Sequence, residues 1–206
     1  MNIIDRVKNI FLTPKTEWPV IDQENDSIST VLTKYVLPLV LIGALAAFIG
    51  YGFVGYDMII AKVKGIRSGV YFGVSHLVAQ IISFYVASYV IDALAPSFGS
   101  TKNLGKSAQL VAYAGTPAYV AAMFMFLPSL GFISLIGLYG IYLFYIGLPV
   151  VKNTPEDKRI GYMIVAALVI ILVGMVIQWL AHMVLNMVIG DPLAGAVPDL
   201  NSLLGK

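Results

Sequence analysis

Polar and apolar positions along this chain come in long blocks. Residues 35–56, 68–91, 107–151 and 160–190 hold no Asp, Glu, Lys or Arg. Each block reaches the roughly 20 residues that an apolar helix needs to cross about 30 Å of hydrocarbon. The block at 107–151 is long enough for two crossings, and Leu127-Pro128-Ser129 supplies a turn near its middle. The pattern predicts an all-α, polytopic membrane helical bundle with five transmembrane helices, near 35–56, 69–93, 107–127, 130–151 and 160–184. Together these make a membrane domain over 34–190.

Ahead of it, residues 1–33 have a finer period. In MNIIDRVKNIFL, Ile3, Ile4, Val7, Ile10 and Phe11 alternate at helical spacing with Asn2, Asp5, Arg6, Lys8 and Asn9. A basic polar face opposite an apolar one is expected of an N-terminal amphipathic interfacial helix lying in the headgroup plane; a loosely attached tail is the plainer reading. Thr13-Pro14 predicts a capped start of a further turn, ended by Trp18-Pro19, with Trp18 at the headgroup level. Asp22, Glu24 and Asp26 form an acidic cluster, either solvated or partner-binding. Residues 191–206, DPLAGAVPDLNSLLGK, read as an irregular C-terminal tail.

Composition agrees with the blocks. Hydrophobic residues make up 59% of the chain and charged ones 12%, against about a quarter charged in ordinary globular domains. The first apolar run comes too late for a signal-peptide core, so no cleavable leader is expected. Cysteine is absent, which removes disulfides and Cys metal sites. A net charge of +2 does not point to nucleic acid. Its distribution orients the chain. With the N-terminus inside, Arg6, Lys8, Lys15, Lys34, Lys102, Lys106, Lys152, Lys158 and Arg159 fall on the cytoplasmic side, nine against the outer four, Lys62, Lys64, Arg67 and Lys206. Positive charge in short loops marks the cytoplasmic face, so a multi-pass protein of the cell (inner) membrane, N-in and C-out, is expected. The basic stretch 62–67 runs against this.

Candidate chemistry is sparse. Gly50 to Gly55, GYGFVG, matches G-x-G-x-x-G, but a dinucleotide site needs a preceding strand, and an apolar helix precedes it. Close helix contact explains these glycines better, as it does Gly69-x-x-x-Gly73. No charge lies at mid-depth in a span, which disfavours a carboxylate-driven pump. No nucleophile with a base at helical spacing and no His-Glu-x-x-His occurs, so neither enzyme activity nor a cofactor is expected. One polar seam remains. Gln178, His182 and Asn186 share a face of the fifth span, and His76 and Gln80 have the same spacing in the second. Interhelical hydrogen bonds are the first reading. A metal or proton site at His76 and His182 is the weaker one.

The third span carries a fault. Pro117 has no amide proton for the Tyr113 carbonyl and crowds it. Such a break is tolerated only against protein, so Tyr113, Gly115, Thr116 and Pro117 should form a structural kink inside the bundle.

The run LVAYAGTPAYVAAMFMFLPSLGFISLIGLYGIYLFYIGLPVVKNTPEDKRIGY, residues 110–162, resembles the bacterial branch of the Ypt-interacting-protein (Yip) family. The ordered positions are Tyr113, Pro117, Pro128, Leu138, Tyr139, Tyr142, Leu143, Gly147, Pro149, Pro155, Gly161 and Tyr162. The opening VKNIFLTPKTEWPVI is similar too. The resemblance implies five spans and a cytoplasmic N-terminus. Eukaryotic members bind Rab-type GTPases and carry an Asp-Leu-Tyr-Gly-Pro box before the first span. This chain lacks the box, so Rab-type GTPase binding is not supported. Two functions stay open: a non-enzymatic protein that organises membrane or recruits protein partners, itself included as a homo-oligomer, and a small-solute or ion transporter using the kinked third span and the Gln178/His182/Asn186 face.

Overall fold

The computed structural model describes residues 2–57 and 62–192; the expected irregular tail falls almost wholly outside them. Two short helices lead the chain, α1 (Ile3–Leu12) and α2 (Pro14–Gln23). Asn2 starts α1 by accepting the Ile4 amide at 2.9 Å, and Pro14 occupies the first turn of α2. The predicted stop at Trp18-Pro19 does not occur, for α2 runs through to Gln23. The amide missing at Pro19 would have met the Lys15 carbonyl, and both residues are exposed, so surrounding polar groups can satisfy that oxygen.

The first span comprises α3 (Ile28–Val31), a π-turn over Leu32–Val36, α4 (Leu37–Ile49) and a second π-turn over Gly50–Val54. Pro38 cannot bond back to the Lys34 carbonyl, and the helix widens just before it: the Leu37 amide reaches Leu32, five residues back. A two-residue antiparallel ladder, β1 (Tyr56–Asp57) with β2 (Lys62–Val63), precedes the second span, α5 (Ile66–Leu94). The third span is α6 (Leu104–Ala114) and α7 (Thr116–Ala122), extended by a 3-10 turn over Met123–Phe126. The fourth opens as a 3-10 helix, Pro128–Leu138, and continues as α8 (Tyr139–Lys152); the fifth is α9 (Arg159–Val188).

Four helical stretches are long and apolar enough to span a membrane: Ile28–Val54, Ile66–Phe98, Pro128–Lys152 and Glu156–Val188. Counting the bent pair Leu104–Ala114 and Thr116–Phe126 as one crossing makes five. The chain is therefore an all-α polytopic bundle. Each stretch runs past its charge-free block at one end or both, because helices continue past the hydrocarbon until a cap or turn stops them. Gly99 (φ 65°) and Asn153 (φ 52°) do so after the second and fourth spans.

Glycines set the tightest crossings. A side chain at Gly69 would lie 2.7 Å from the Phe48 carbonyl oxygen and 2.8 Å from Gly52 Cα, so α5 meets the first span backbone to backbone there. Gly50 abuts the Met125 carbonyl still more closely. The GYGFVG stretch thus packs helices.

Candidate functional site

Polar side chains concentrate at one end of the bundle, where the first, third and fifth spans begin and the second and fourth end. The N-terminal helices are packed onto this end. Arg6 is buried between Glu17, whose Oε1 accepts from Nη1 at 2.5 Å, and Glu24. Its guanidinium carbon also lies 5.2 Å from the centre of the Tyr113 ring. Lys106 pairs with Asp22 at 3.1 Å and donates to the backbone carbonyls of Asp22 and Glu24. Gln109 donates to the Glu24 carbonyl at 2.8 Å. So two of the three residues in the acidic cluster, Asp22 and Glu24, pair within the chain with basic side chains of α6 and α1 while keeping part of their surface in solvent.

Trp18, expected at the headgroup level, is fully buried within the protein. Gly147 makes this possible: a Cβ there would lie 2.7 Å from the indole ring and 2.8 Å from Leu110. The fourth span thus has a notch into which the indole fits, and Phe11 stacks on Tyr139 at 5.8 Å beside it.

Below this cap lies the break in the third span. α6 and α7 meet at 45° around Gly115. Thr116 Oγ1 donates to the Tyr113 carbonyl at 2.8 Å, the oxygen that Pro117 leaves without an amide. Tyr35 of the first span shares a hydrogen bond of 2.8 Å with the same hydroxyl. Tyr113, Thr116 and Pro117 are buried, Gly115 partly so. The Tyr35 and Tyr113 rings pack edge to face at 4.7 Å, and Trp18 adds a second edge contact at 6.4 Å.

A second buried network ties three span ends together. Lys152 is fully buried at the end of α8; its Nζ donates to Ser107 Oγ at 2.7 Å and Asp92 Oδ1 at 3.2 Å. Ser107 in turn donates to Asp92 at 3.2 Å, and Tyr162 donates to the Ile91 carbonyl. Sequence reasoning missed this cluster, although a signal was there. Asp92 and Lys152 each close a charge-free block, and alternating span direction brings those two ends to the same side.

The polar seam is divided. His182 shares a hydrogen bond of 2.5 Å with the Tyr71 hydroxyl and one of 3.0 Å with Gln178. Gln178, His182 and Asn186 are all exposed. The 30 residues of α9 extend about 45 Å at 1.5 Å each, which carries this face to or beyond the far edge of a hydrocarbon layer about 30 Å thick. His76 faces the first span instead. Its Nε2 is buried without a hydrogen-bond partner, close against Gly43. No contact joins it to His182 among the described residues, and none of these residues forms a group of three or more His, Cys, Asp or Glu side chains placed to hold a metal ion. Gln80 is half-buried one turn on from His76.

Between α5, the break, α8 and α9 lies a cavity of about 430 Å³. Its walls are apolar or glycine, among them Ile91, Gly115, Gly140, Phe144, Met163 and Ile170.

Comparison with known proteins accords with this architecture. Two curated relatives, both named inner membrane protein YohC, come from Escherichia coli K12 and from Escherichia coli O6:H1 strain CFT073. Each is 25% identical to the chain over 166 residues, 77% of this chain and 85% of the relative. No solved structure matches. The model of the Yip1 domain matches residues 8–178, a stretch running from the N-terminal helix α1 to the exposed seam of α9, and the chain is an integral membrane protein that belongs to the Yip1 domain family.

Proposed function

We propose that this protein is non-enzymatic and organises the membrane around it, using the N-terminal hairpin as its working surface. One observation carries the reading. Buried Arg6 ties α1 to α2 through Glu17 and Glu24, and the Tyr139 hydroxyl, donating to the Phe11 carbonyl at 3.1 Å, ties α1 to the bundle, while Ile4 (70% exposed) and Leu12 (69% exposed) project outward. Lys8 lies between them on the same face, and Lys15 is exposed nearby. Apolar side chains flanked by lysines suit insertion at an anionic headgroup surface. A hairpin fixed at one end of the bundle would press on one leaflet only. The charge count supports a cytoplasmic position for this end, and the relatives' name, inner membrane protein YohC, supports the inner membrane.

Reconstitution into vesicles of phosphatidylethanolamine and phosphatidylglycerol tests the idea. The protein should narrow the distribution of vesicle diameters with increasing protein, and an Ile4→Glu, Leu12→Glu variant should lose that effect. Equal diameters for both would refute it.

The alternative, transport along the kinked third span and the Gln178/His182/Asn186 face, has less support. The polar groups at the break engage one another, and the cavity beside it is apolar. Passage of a probe ion in the same vesicles would reverse the preference.

A further inference from the structure

We propose that the cavity beside Gly115 and the adjacent Arg159 form a binding site for one anionic glycerophospholipid, with an acyl chain in the cavity and the phosphate at Arg159. The site is separate from the hairpin surface and does not depend on what that surface does.

Its apolar part comes first. At about 430 Å³ the cavity falls within the range of small-molecule pockets. Its lining offers carbon and glycine backbone, so water has few partners there, and apolar cavities stay dry. At this depth of a bilayer the available apolar molecules are acyl chains. The shape has a local cause. The third span turns away at Gly115, while α8 approaches its upper segment closely: a Cβ on Gly140 would lie 2.6 Å from the Ala114 carbonyl oxygen. A Cβ on Gly137 would in turn lie 3.7 Å from Ala118, so the third and fourth spans touch on both sides of the break, and the space between them, α5 and α9 is lined on the third span by Val111, Ala114 and Gly115.

The polar part lies one helical turn away. Arg159, Met163, Ala166 and Ile170 are spaced i, i+4, i+7 and i+11, which places them on one face of α9. The last three line the cavity. Arg159 therefore stands over the cavity's end, about 6 Å along the axis from Met163, where the fifth span leaves the hydrocarbon. Its Nε is buried and has no hydrogen-bond partner, and among the described residues no ion pair involves its guanidinium. Buried donors without acceptors are rare, and a planar guanidinium matches phosphate through two parallel hydrogen bonds. The surrounding charges permit an anion. Lys158 adjoins Arg159, pairing loosely with Asp157 at 3.8 Å, and Glu156 and Asp157 are exposed in the preceding turn. Basic pockets between span ends are where anionic headgroups bind. One molecule fits both halves, because a phospholipid places its phosphate directly above its chains.

The test uses the full chain in nanodiscs of equal phosphatidylglycerol and phosphatidylcholine with matched chains. After transfer to mild detergent, retained lipid is counted by native mass spectrometry. One phosphatidylglycerol should remain per protein, favoured over phosphatidylcholine at least about fivefold, as one Arg at a membrane surface provides. Arg159→Gln should abolish the preference yet keep one lipid; Arg159→Lys should restore part of it. Ala167→Phe, which fills the cavity from its wall, should lose the lipid, and Ile141→Trp serves if that variant fails to fold. Equal retention of the two lipids, or a preference unchanged in Arg159→Gln, overturns the phosphate site. Full retention in the folded cavity variant overturns the chain site.

Discussion

The two ends of the bundle are built on different terms. At the basic end Trp18, Leu110, Leu148, Lys152 and Tyr162 are wholly buried, and ion pairs and aromatic contacts cross between elements distant in sequence. At the other end α9 is nearly bare. Half of the most apolar window in the first span is buried, against 11% in the fifth, and a Cβ at Gly174 would touch nothing. Apolar helices in lipid gain little by packing on one another, since acyl chains solvate them equally well. Polar groups have no such indifference, because an unpaired one is costly away from water. Polar pairing therefore gathers at the basic end, whereas at the opposite end the first and second spans meet through glycine backbone at Gly52 and Gly69.

The sharpest way to break that contrast is to remove one partner from the buried charge cluster. Asp92→Ala should destabilise the protein by about 3–5 kcal/mol, because the buried Lys152 ammonium keeps its desolvation cost and loses its counter-charge. Thermal unfolding in nanodiscs would measure this. An Asp92→Leu, Lys152→Met double variant should recover much of the loss. If the single variant unfolds like wild type, the cluster does not hold the span ends.

Next comes Gly147→Leu. The added side chain meets the Trp18 ring, and overpacking of this kind costs about 1–3 kcal/mol. The hairpin should detach before the bundle unfolds, which protease accessibility at residues 1–24 would report. An undigested N-terminus would show that Trp18 is not what seats it.

Smaller effects belong to the break. Thr116→Val removes the hydroxyl shared by Tyr35 and the Tyr113 carbonyl, a loss of about 1 kcal/mol in unfolding free energy. Pro117→Ala supplies an amide in its place, and the 45° bend should straighten in a structure of the variant. An unchanged axis would assign the bend to Gly115 and the aromatic packing instead. The smallest effect should come from the bare end, where His182→Ala costs about 0.6 kcal/mol, an average interhelical hydrogen bond in a membrane. A loss as large as that of Asp92→Ala would erase the contrast between the ends.

Much of this molecule can be read along the chain. Charge-free blocks point to the four stretches long and apolar enough to span a membrane, and to a fifth when the bent pair is counted as one, and Pro117 with Thr116 identifies a position where a helix cannot run straight. Glycines at 50, 52, 69 and 73 mark close packing before any partner is known. Less can be read of the candidate surfaces. The period of residues 3–11 gives an amphipathic helix, but not which charges turn inward. Arg6 looks like one more basic residue of a polar face until Glu17 and Glu24 are found on either side of it. His76 and His182 look alike in spacing and depth, yet one meets Gly43 and the other Tyr71.

By itself, then, the sequence determined what is one-dimensional: which segments enter lipid, where helices start, fault and stop, and which end carries the positive charge. Each of these follows from the transfer cost or backbone chemistry of consecutive residues. Only the tertiary structure decided which polar group meets which, that Trp18 fills the notch at Gly147, and that Lys152 closes on Asp92. Those pairings join positions separated by 11 residues for Arg6 and Glu17 and by 60 for Asp92 and Lys152, and no property of consecutive residues encodes them. The cavity beside Gly115 is of the same kind, being the space left where four helices fail to meet.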